Sequence, residues 1–283
     1  MFTSISDHYF SMTKAEKKVA DYVMQHRTEV QYMSISELAE ECGVADATIS
    51  RFCRDLGLRG YNDFKLSLAT AAAKPRSNAI PSDYAEGEIT DDDCFSDMCQ
   101  KIFSSNVTAL TQSMQKLDEG RINAAADMLY RANRVYCMGQ GGSLTIAQEA
   151  CSLFSTVASQ FYIIQDSHLQ AAAVSLLTDQ DAVLYFSYSG ATRDMMDVVR
   201  LCRAQGTKVI LVTRFAKSPG AAYADCILLC GANESPLQHG SVPARMAQLF
   251  VVDVLFNAFV RRDPEAAERN RACVANALVD KHL

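Results

Sequence analysis

The sequence predicts two domains, a small all-α helix-turn-helix domain and an α/β domain with a five-stranded parallel sheet flanked by helices. A chain of 283 residues is long enough for both, since single domains commonly contain about 100–150 residues. Apolar residues spaced three and four apart indicate helices early in the chain, and later five short apolar runs alternate with helix-length segments. We assign residues 1–76 to the helix-turn-helix domain, 77–94 to a linker and 95–283 to the α/β domain.

The first helix is predicted to begin after Thr13, which forms the pattern of a capping box with Glu16. We expect this helix to supply the third side of a small core, together with the two helices that follow it. Its apolar side is predicted to comprise Ala15, Val19, Tyr22, Val23 and His26.

Residues 34–58 predict two further helices joined by a tight turn. Ser34 and Glu37 form a second capping box at the start of the first of them. Gly43 stands where the turn requires a positive φ, and Gly57 follows the second helix as its C′ residue. The inward faces comprise Ile35, Leu38, Ala39 and Cys42 in one helix and Ile49, Phe52, Cys53 and Leu56 in the other.

The outward face of the second helix carries the side chains that a DNA recognition helix needs. Arginine forks bind guanine or phosphate, hydroxyls bind phosphate, and a methyl group contacts thymine. Residues 47–76 contain six Lys/Arg and two Asp/Glu, a local charge of +4 in a chain of net charge −6. A helical hairpin with a solvated charged face and no DNA is the alternative. The candidate DNA-contacting residues are Ala47, Thr48, Ser50, Arg51, Arg54, Arg59 and Lys65.

A further apolar segment and then a polar stretch follow the helical hairpin. The apolar segment contains Tyr61, Phe64, Leu66 and Leu68, with Lys65 expected to be exposed among them. The stretch from about Ala73 to Asp93 is polar, contains two prolines and lacks a sustained period, so it predicts a linker. Residues 77–118 carry two basic and eight acidic side chains, which accounts for the whole negative charge of the protein.

The second domain is predicted to begin with a helix over residues 95–117. Its last long helix, at about residues 241–260, is apolar throughout and would pack against the sheet or against a partner chain. The five predicted strands are Arg134–Met138, Phe161–Ile164, Ala182–Phe186, Lys208–Val212 and Cys226–Leu229.

Two predicted strands end in loops that could hold a phosphate. The first loop, Gly139–Ser143, contains three glycines, and the second, Ser187–Thr192, contains two serines, one threonine and one glycine. Ligands of open α/β sheets bind at the carboxyl ends of the strands, and backbone N–H groups at a helix start attract anions. The first loop has neither the dinucleotide-binding spacing nor the Gly-Lys-Ser/Thr of a P-loop. A purely structural role for both glycine turns is the alternative to a sugar-phosphate site.

Composition excludes several classes of protein. The longest apolar run, from Leu249 to Val260, is interrupted by Asp253 and is short for a membrane span. No basic segment followed by an apolar core opens the sequence, so we expect no signal peptide and a cytoplasmic location. The ten cysteines form no C-x-x-C pair and no cluster with histidines, which favours reduced thiols over disulfides or zinc. We therefore expect neither a metal nor a cofactor.

Six motifs occur together and in order: MTKAEKKVADYV at 12–23, SISELAEECGVADATISRFCRDLGLRGYNDFK at 34–65, GQGGS at 139–143, DSHLQ at 166–170, FSYSGAT at 186–192 and GSVPARMAQL at 240–249. In this combination the chain resembles the RpiR-type bacterial transcriptional regulators, which join a helix-turn-helix to a SIS (sugar isomerase) domain. The resemblance implies a phosphorylated sugar as effector and control of a sugar-utilisation operon. It also implies an effector site that comprises Gly141, Gly142, Ser143, Ser187, Ser189, Thr192 and Glu234.

One position departs from the family pattern. The family usually has serine as N-cap of the recognition helix, where this chain has Ala45. Either the helix lacks a side-chain cap, or it starts one residue later with Asp46 as its cap. The register of the base contacts depends on which of the two holds.

Two other functions are alternatives to that of a regulator. A sugar-phosphate isomerase needs a general base, for which Glu234, His168 and His239 are the candidates by sequence position. A scaffold with a vestigial pocket would not need the hydroxyls of the second loop. Because one helix-turn-helix contacts a short half-site, we expect a homodimer or homotetramer that binds an inverted repeat in duplex DNA.

Overall fold

The computed structural model describes residues 4–5, 8–72, 89–232 and 241–279. Within them the chain divides into two compact units, one ending at Asp91 and the other beginning at Asp92. The predicted fold class is confirmed, because the first unit is all-α and the second contains a five-stranded parallel sheet flanked by helices.

The N-terminal unit is built around a helix-turn-helix. Its α-helices are α1 (Lys14–Gln25), α2 (Ile35–Cys42), α3 (Asp46–Asp55) and α4 (Tyr61–Ala72). Single 3₁₀ turns lie at Tyr9–Ser11 and Val30–Tyr32. The core joins these four described helices, and its fully buried side chains include Val19, Val23, Leu38, Ile49, Phe52, Phe64 and Leu68.

Local capping defines the ends of these helices. Both predicted capping boxes form, at Thr13 and at Ser34, and Gly43 adopts the left-handed conformation with φ of 61°. At the end of α3 the N–H of Gly57 donates to the Arg54 carbonyl, and the N–H of Leu58 donates to the Cys53 carbonyl. These two hydrogen bonds form a Schellman motif. The boundaries of the hairpin thus follow from side chains and glycines that are local in sequence.

The start of α3 settles the question raised by Ala45. Ala45 is the N-cap and provides no side-chain hydrogen bond, so the prediction of Asp46 as an alternative cap is wrong. Asp46 is instead the first helical residue, and its carboxylate accepts a 2.7 Å hydrogen bond from Ser36 Oγ on α2. Its negative charge still lies in the first turn, where it interacts favourably with the helix dipole.

Two helix faces differ from their predictions. In α1 the buried side is rotated, because Glu16 and Ala20 are buried with Val19 and Val23, whereas Tyr22 stacks on His26 at the partly exposed flank. In α4 Leu66 is exposed and Lys65 is half-buried. The predicted side of α1 includes Tyr22 and His26 and omits the buried Glu16 and Ala20.

The second unit is a three-layer α/β structure. Its strands are β1 (Val135–Gly139), β2 (Phe161–Ile163), β3 (Ala182–Phe186), β4 (Lys208–Thr213) and β5 (Cys226–Leu229). Its helices are α5 (Phe95–Lys116), α6 (Glu119–Arg131), α7 (Gly142–Ser155), α8 (Ser167–Val174), α9 (Arg193–Gln205), α10 (Val242–Val260) and α11 (Pro264–Leu278). The strand order is β2-β1-β3-β4-β5, all parallel, so the five predicted strands are confirmed with shifts of at most one residue at their ends.

The sheet separates two apolar cores. On one face Ala182, Leu184 and Phe186 of β3 belong to the core that contains α7 and α10, whereas Val183 and Tyr185 face the core that contains α9. Helices α7 and α9, which follow β1 and β3, therefore lie on opposite faces of the sheet. The boundary between β1 and β3 is the topological switch point, where open α/β sheets leave a crevice for ligands.

Helix α10 is the one described helix that is long and apolar enough to cross a membrane by length and composition. Half of it is buried inside the protein, and seven of its side chains, among them Val251, Leu255 and Phe259, are core residues, as in the central helix of a globular domain. None of the ten cysteines, all of which the structure describes, forms a disulfide, and the described residues contain no cluster of side chains that could hold a metal ion.

Candidate DNA-contacting surface and anion-binding loops

Helix α3 presents most of the candidate DNA-contacting residues on one surface. Ala47, Arg51 and Arg54 are exposed on this helix, and Thr48 and Ser50 flank them half-buried. Arg54 Nε donates to the Ser50 carbonyl at 3.2 Å, which holds its side chain along the helix. Five of the seven candidates therefore share a face turned away from the core.

The other two candidates lie beyond the C-terminal end of α3. Arg59 follows the helix and its guanidinium lies 3.5 Å from Asp63, so part of its charge is neutralised within the protein. Backbone N–H of Arg59 also donates to that carboxylate, which lowers the pKa of Asp63. Lys65 on α4 is half-buried, with its ammonium 6.0 Å from the centre of the Tyr61 ring.

Arg51 forms an ion pair with a residue of the first helix. Its Nε donates to Glu16 Oε1 at 2.6 Å across the interface of α1 and α3. The Arg51 side chain is 54% exposed and that of Glu16 only 5%, so the pair connects the buried interface to the surface. Glu16 closes the capping box of α1 as well, since its other oxygen accepts from the N–H and the hydroxyl of Thr13.

Glu16 is ionised in spite of its burial. Desolvation alone would raise the pKa of a buried carboxyl group. Hydrogen bonds from the Thr13 backbone, from Arg51 and from the Thr13 hydroxyl outweigh desolvation and lower the pKa of Glu16 to about 2. Sequence reasoning recognised Glu16 as a cap and missed its pairing with Arg51. The available signal was a charged residue within the stripe of Val19, Ala20 and Val23.

The two candidate anion-binding loops start at the same edge of the sheet. Strands β1 and β3 are hydrogen-bonded neighbours, and Gly139 at the end of β1 lies opposite Phe186 at the end of β3. The loops that follow, residues 140–141 and 187–192, therefore leave adjacent strands at the switch point, and each leads into a helix N-terminus. Because β1 and β3 pair in this way, the two predicted loops start next to each other.

The first loop is closely packed. A side chain at Gly139 would lie 2.7 Å from the Ser143 carbonyl oxygen, so only glycine fits at that point. Gln140 in the loop donates to Gln170 Oε1 at 2.8 Å, and Gln170 Nε2 donates to the Ile164 carbonyl at 2.7 Å. The fully buried Gln170 on α8 therefore connects this loop to the end of β2.

The second loop is closed by its own serine and glycine. Ser187, which is 4% exposed, accepts a hydrogen bond at 3.1 Å from the Gly190 N–H. Gly190 has φ of 59° and packs against the buried Ser218, which follows β4. Gly220 N–H donates to the Gly190 carbonyl at 2.9 Å, so residues 218–220 contact the loop and stabilise it.

Exposure differs among the candidate effector residues. Ser189, Thr192 and Gly141 are exposed, and Gly142 and Ser143 are half-buried at the start of α7. Thr192 is the N-cap of α9 but makes no side-chain capping bond. The hydroxyl of Ser187 already serves the loop, so its contribution is mainly to loop shape.

Of the three residues predicted as the acid or base of an isomerase, the structure describes only His168. Glu234 and His239 lie outside the described residues. His168 is exposed in the first turn of α8, whose N-cap is the Asp166 carboxylate. Gln170 and Ser218, which support the loops, were not singled out from the sequence, because their partners are 30 and 28 residues away.

Comparison with known families and proteins agrees with this architecture. The family model for the helix-turn-helix domain of the rpiR family matches residues 1–75, and the model for the SIS domain matches residues 128–258. The chain is 30% identical over 283 residues to the HTH-type transcriptional regulator HexR of Escherichia coli, covering all of this chain and 96% of HexR. An uncharacterized HTH-type transcriptional regulator of Caldanaerobacter subterraneus is 32% identical over 246 residues, covering 87% of this chain and 85% of the relative.

Solved structures share the fold over the whole chain in one case and over the second domain in another. The Vibrio vulnificus NanR protein, solved in complex with ManNAc-6P, superposes with a TM-score of 0.87 at 22% identity. That similarity covers 99% of this chain and 98% of NanR. The sugar isomerase domain of an RpiR transcription factor from Sphaerobacter thermophilus matches 63% of this chain with a TM-score of 0.58 at 20% identity.

Proposed function

The chain belongs to the rpiR family of helix-turn-helix transcriptional regulators, and we propose that a phosphorylated sugar bound in its SIS domain controls its binding to an operator. The observation that carries the effector site is the pairing of β1 with β3, which starts both loops at one edge of the sheet. The regulated operon is proposed to be one for carbohydrate utilisation, in the cytoplasm.

The chemistry of the loops suits a sugar phosphate. The helix N-termini after β1 and β3 offer backbone N–H groups to an anion, and Ser143, Ser189 and Thr192 add hydroxyl donors. NanR was solved with ManNAc-6P, which makes a phosphorylated sugar the first class of ligand to test here. Gly141, Gly142, Ser187 and Glu234 complete the proposed effector site.

The proposed operator contact lies on the exposed face of α3. Arg51 and Arg54 are placed to reach base edges or phosphates, with Ala47, Thr48 and Ser50 beside them. Arg59 and Lys65 are proposed as phosphate contacts, where the electrostatic term dominates.

We propose that the protein acts as a sensor and not as an isomerase. Aldose–ketose isomerisation requires a base beside the substrate carbons. His168 is exposed at the start of α8, and the adjoining Asp166 carboxylate already bonds the Leu169 N–H at 2.9 Å. Conversion of any bound sugar phosphate into its isomer, followed by NMR, would overturn this part of the proposal.

The effector is tested with a thermal-shift panel of phosphorylated sugars, including ManNAc-6P, with unphosphorylated sugars and inorganic phosphate as references. We expect a phosphorylated sugar to raise the melting temperature and Ser189→Ala to weaken its binding about tenfold or more, since one charge-assisted hydrogen bond is lost. DNA binding without effector should stay unchanged. Calorimetry measures the first effect and fluorescence anisotropy the second.

Ser159→Ala is the matched control, because Ser159 is also exposed but precedes β2 at the opposite edge of the sheet. It should bind the effector as the wild type does. Unchanged effector affinity in a Ser187→Ala/Ser189→Ala double variant would place the effector elsewhere.

We also propose that a second copy of the chain covers an apolar surface on α5. Phe95, Ile102, Phe103 and Val107 are between 42% and 78% exposed on this helix, beside Met246 of α10. Ile102, Phe103, Val107 and Met246 line a cavity of about 440 Å³ in this surface. Exposed apolar patches of this kind mark interaction sites, and an inverted repeat requires two helix-turn-helix domains.

Phe103→Asp should therefore convert the oligomer to a monomer at micromolar concentration and weaken operator binding by about a hundredfold, since paired half-sites are lost. Sedimentation velocity and anisotropy measure the two effects. Leu176→Asp is the control, since Leu176 is 76% exposed on the loop after α8. A wild-type protein that sediments as a monomer, with and without DNA, contradicts the proposal.

A further inference from the structure

Glu16 lies outside the helix-turn-helix hairpin, on the preceding helix α1, and yet it contacts the recognition helix. We propose that Glu16 is a positioning residue for DNA recognition, which holds Arg51 by its Nε and directs its two terminal amino groups towards a base. The inference rests on the proposed role of Arg51 as a DNA contact. The ion pair between the two side chains, 2.6 Å long, is the observation that carries it.

The carboxylate is itself rigidly held. Glu16 is 3% exposed, and one of its oxygens accepts hydrogen bonds from the Thr13 N–H at 2.9 Å and from the Thr13 hydroxyl at 2.8 Å. Its other oxygen is the acceptor for Arg51 Nε. The anchor is thus fixed by the start of α1, and not by the helix that would enter the groove.

The bond to Nε leaves the end of the guanidinium for a ligand. The terminal amino groups of Arg51 make no hydrogen bond within the part of the chain that the structure describes. A free arginine loses considerable rotamer entropy when it is fixed, whereas a guanidinium already held at Nε loses less on binding. Two N–H groups in a fixed fork match the O6 and N7 acceptors of guanine.

The charges of Glu16 and Arg51 allow the proposed base contact to be distinguished from an electrostatic contact with phosphate. Glu16 neutralises Arg51, so the pair adds little net charge to the surface. Arg54, by contrast, forms no ion pair with any described residue, and its Nε bonds only the Ser50 carbonyl. Arg51 should accordingly contribute to sequence preference, whereas Arg54 should contribute to affinity for any duplex and to the salt dependence.

The test compares specific with non-specific binding by the full chain. The probes are a duplex selected from a random pool by the wild-type protein and a scrambled duplex of equal length. Glu16→Gln should weaken binding to the selected duplex about tenfold while binding to the scrambled duplex stays equal or becomes tighter, since a negative charge is removed. A merely structural role would weaken binding to both probes together, in proportion to the unfolded fraction.

Two further variants separate the outcomes. Glu41→Gln removes one exposed negative charge from α2 in the same domain and should keep the wild-type ratio of specific to non-specific affinity. Arg51→Lys keeps the positive charge beside Glu16, and so the fold, but loses the fork; its ratio should fall at least tenfold. A wild-type ratio in folded Glu16→Gln overturns the positioning role. A wild-type ratio in Arg51→Lys shows that Arg51 reads no base, and a wild type that selects no sequence refutes the DNA-recognition function itself.

Discussion

Arg51→Ala should lower the melting temperature of the N-terminal domain by about 10 °C, and adding Glu16→Gln should restore most of that loss. The single variant leaves the Glu16 carboxylate, only 5% exposed at its side chain, without its cationic partner. An uncompensated buried charge destabilises a protein more than removal of the whole pair does. The second substitution removes the charge but keeps an oxygen that can accept from Thr13.

Hydrogen exchange followed by mass spectrometry locates this effect within the intact chain. Peptides that cover α1 and α3 should lose protection in Arg51→Ala and regain it in the double variant, whereas peptides from β1 and β3 should not change. Arg54→Ala is the matched control on the same helix, because its Nε bonds a backbone carbonyl and no carboxylate. Equal protection in the single and double variants would mean that the ion pair contributes nothing to the interface.

The strands were predictable because each one is a short run of mostly apolar residues. All five residues of β3 and all but the first of β4 are buried, as in a sheet covered on both faces. Their alternation with helices then fixes a parallel arrangement, and parallel strands end at a common edge. The approach of the two loops could thus be inferred before any contact was known.

The helix-turn-helix was predictable for a different reason, since its boundaries depend on short-range chemistry. Ser34, Glu37 and Gly43 make their capping interactions with residues only a few positions away, and each adopts the predicted role. The burial of Glu16 was not predictable in this way, because it depends on Arg51, 35 residues further along the chain. A charged residue in an apolar stripe signals burial only when its partner is known.

Helix α11 was not predicted at all. Its sequence mixes alanines with charged residues and offers no apolar stripe, and Ala267 is its one buried residue. The helix is held instead by specific contacts, including the bond from Asn270 Nδ2 to the Val157 carbonyl at 2.6 Å and the packing of the Arg271 guanidinium on Phe256. A contact such as that between Asn270 and Val157, 113 positions apart, leaves no periodicity in the sequence.

Gly190→Ala should abolish the response to the effector, weakening effector binding by about a hundredfold or more while leaving effector-free DNA binding unchanged. Gly190 has φ of 59°, where a Cβ is disfavoured, and that atom would also lie 2.5 Å from Ser218 Cβ and closer still to Ser218 Oγ. Because Ser218 is 3% exposed, it has little room to move, and the loop that carries Ser189 must shift instead. Calorimetry with the strongest sugar phosphate of the panel measures the loss.

Gly206→Ala is a control that distinguishes the effect of a steric collision from the effect of backbone strain. Gly206 has φ of 74° at the end of α9, but the nearest atom to an added Cβ is Asp179 Cβ at 3.5 Å, an ordinary contact. This control should reduce stability modestly and bind the effector normally. The double variant Gly190→Ala/Ser218→Gly removes the two Ser218 atoms and should recover part of the affinity, since the strain at residue 190 and a 3.1 Å contact with Thr213 Oγ1 remain. If Gly190→Ala binds the effector as well as Gly206→Ala does, the second loop does not form the phosphate site, and Ser189 and Thr192 lose their assigned role.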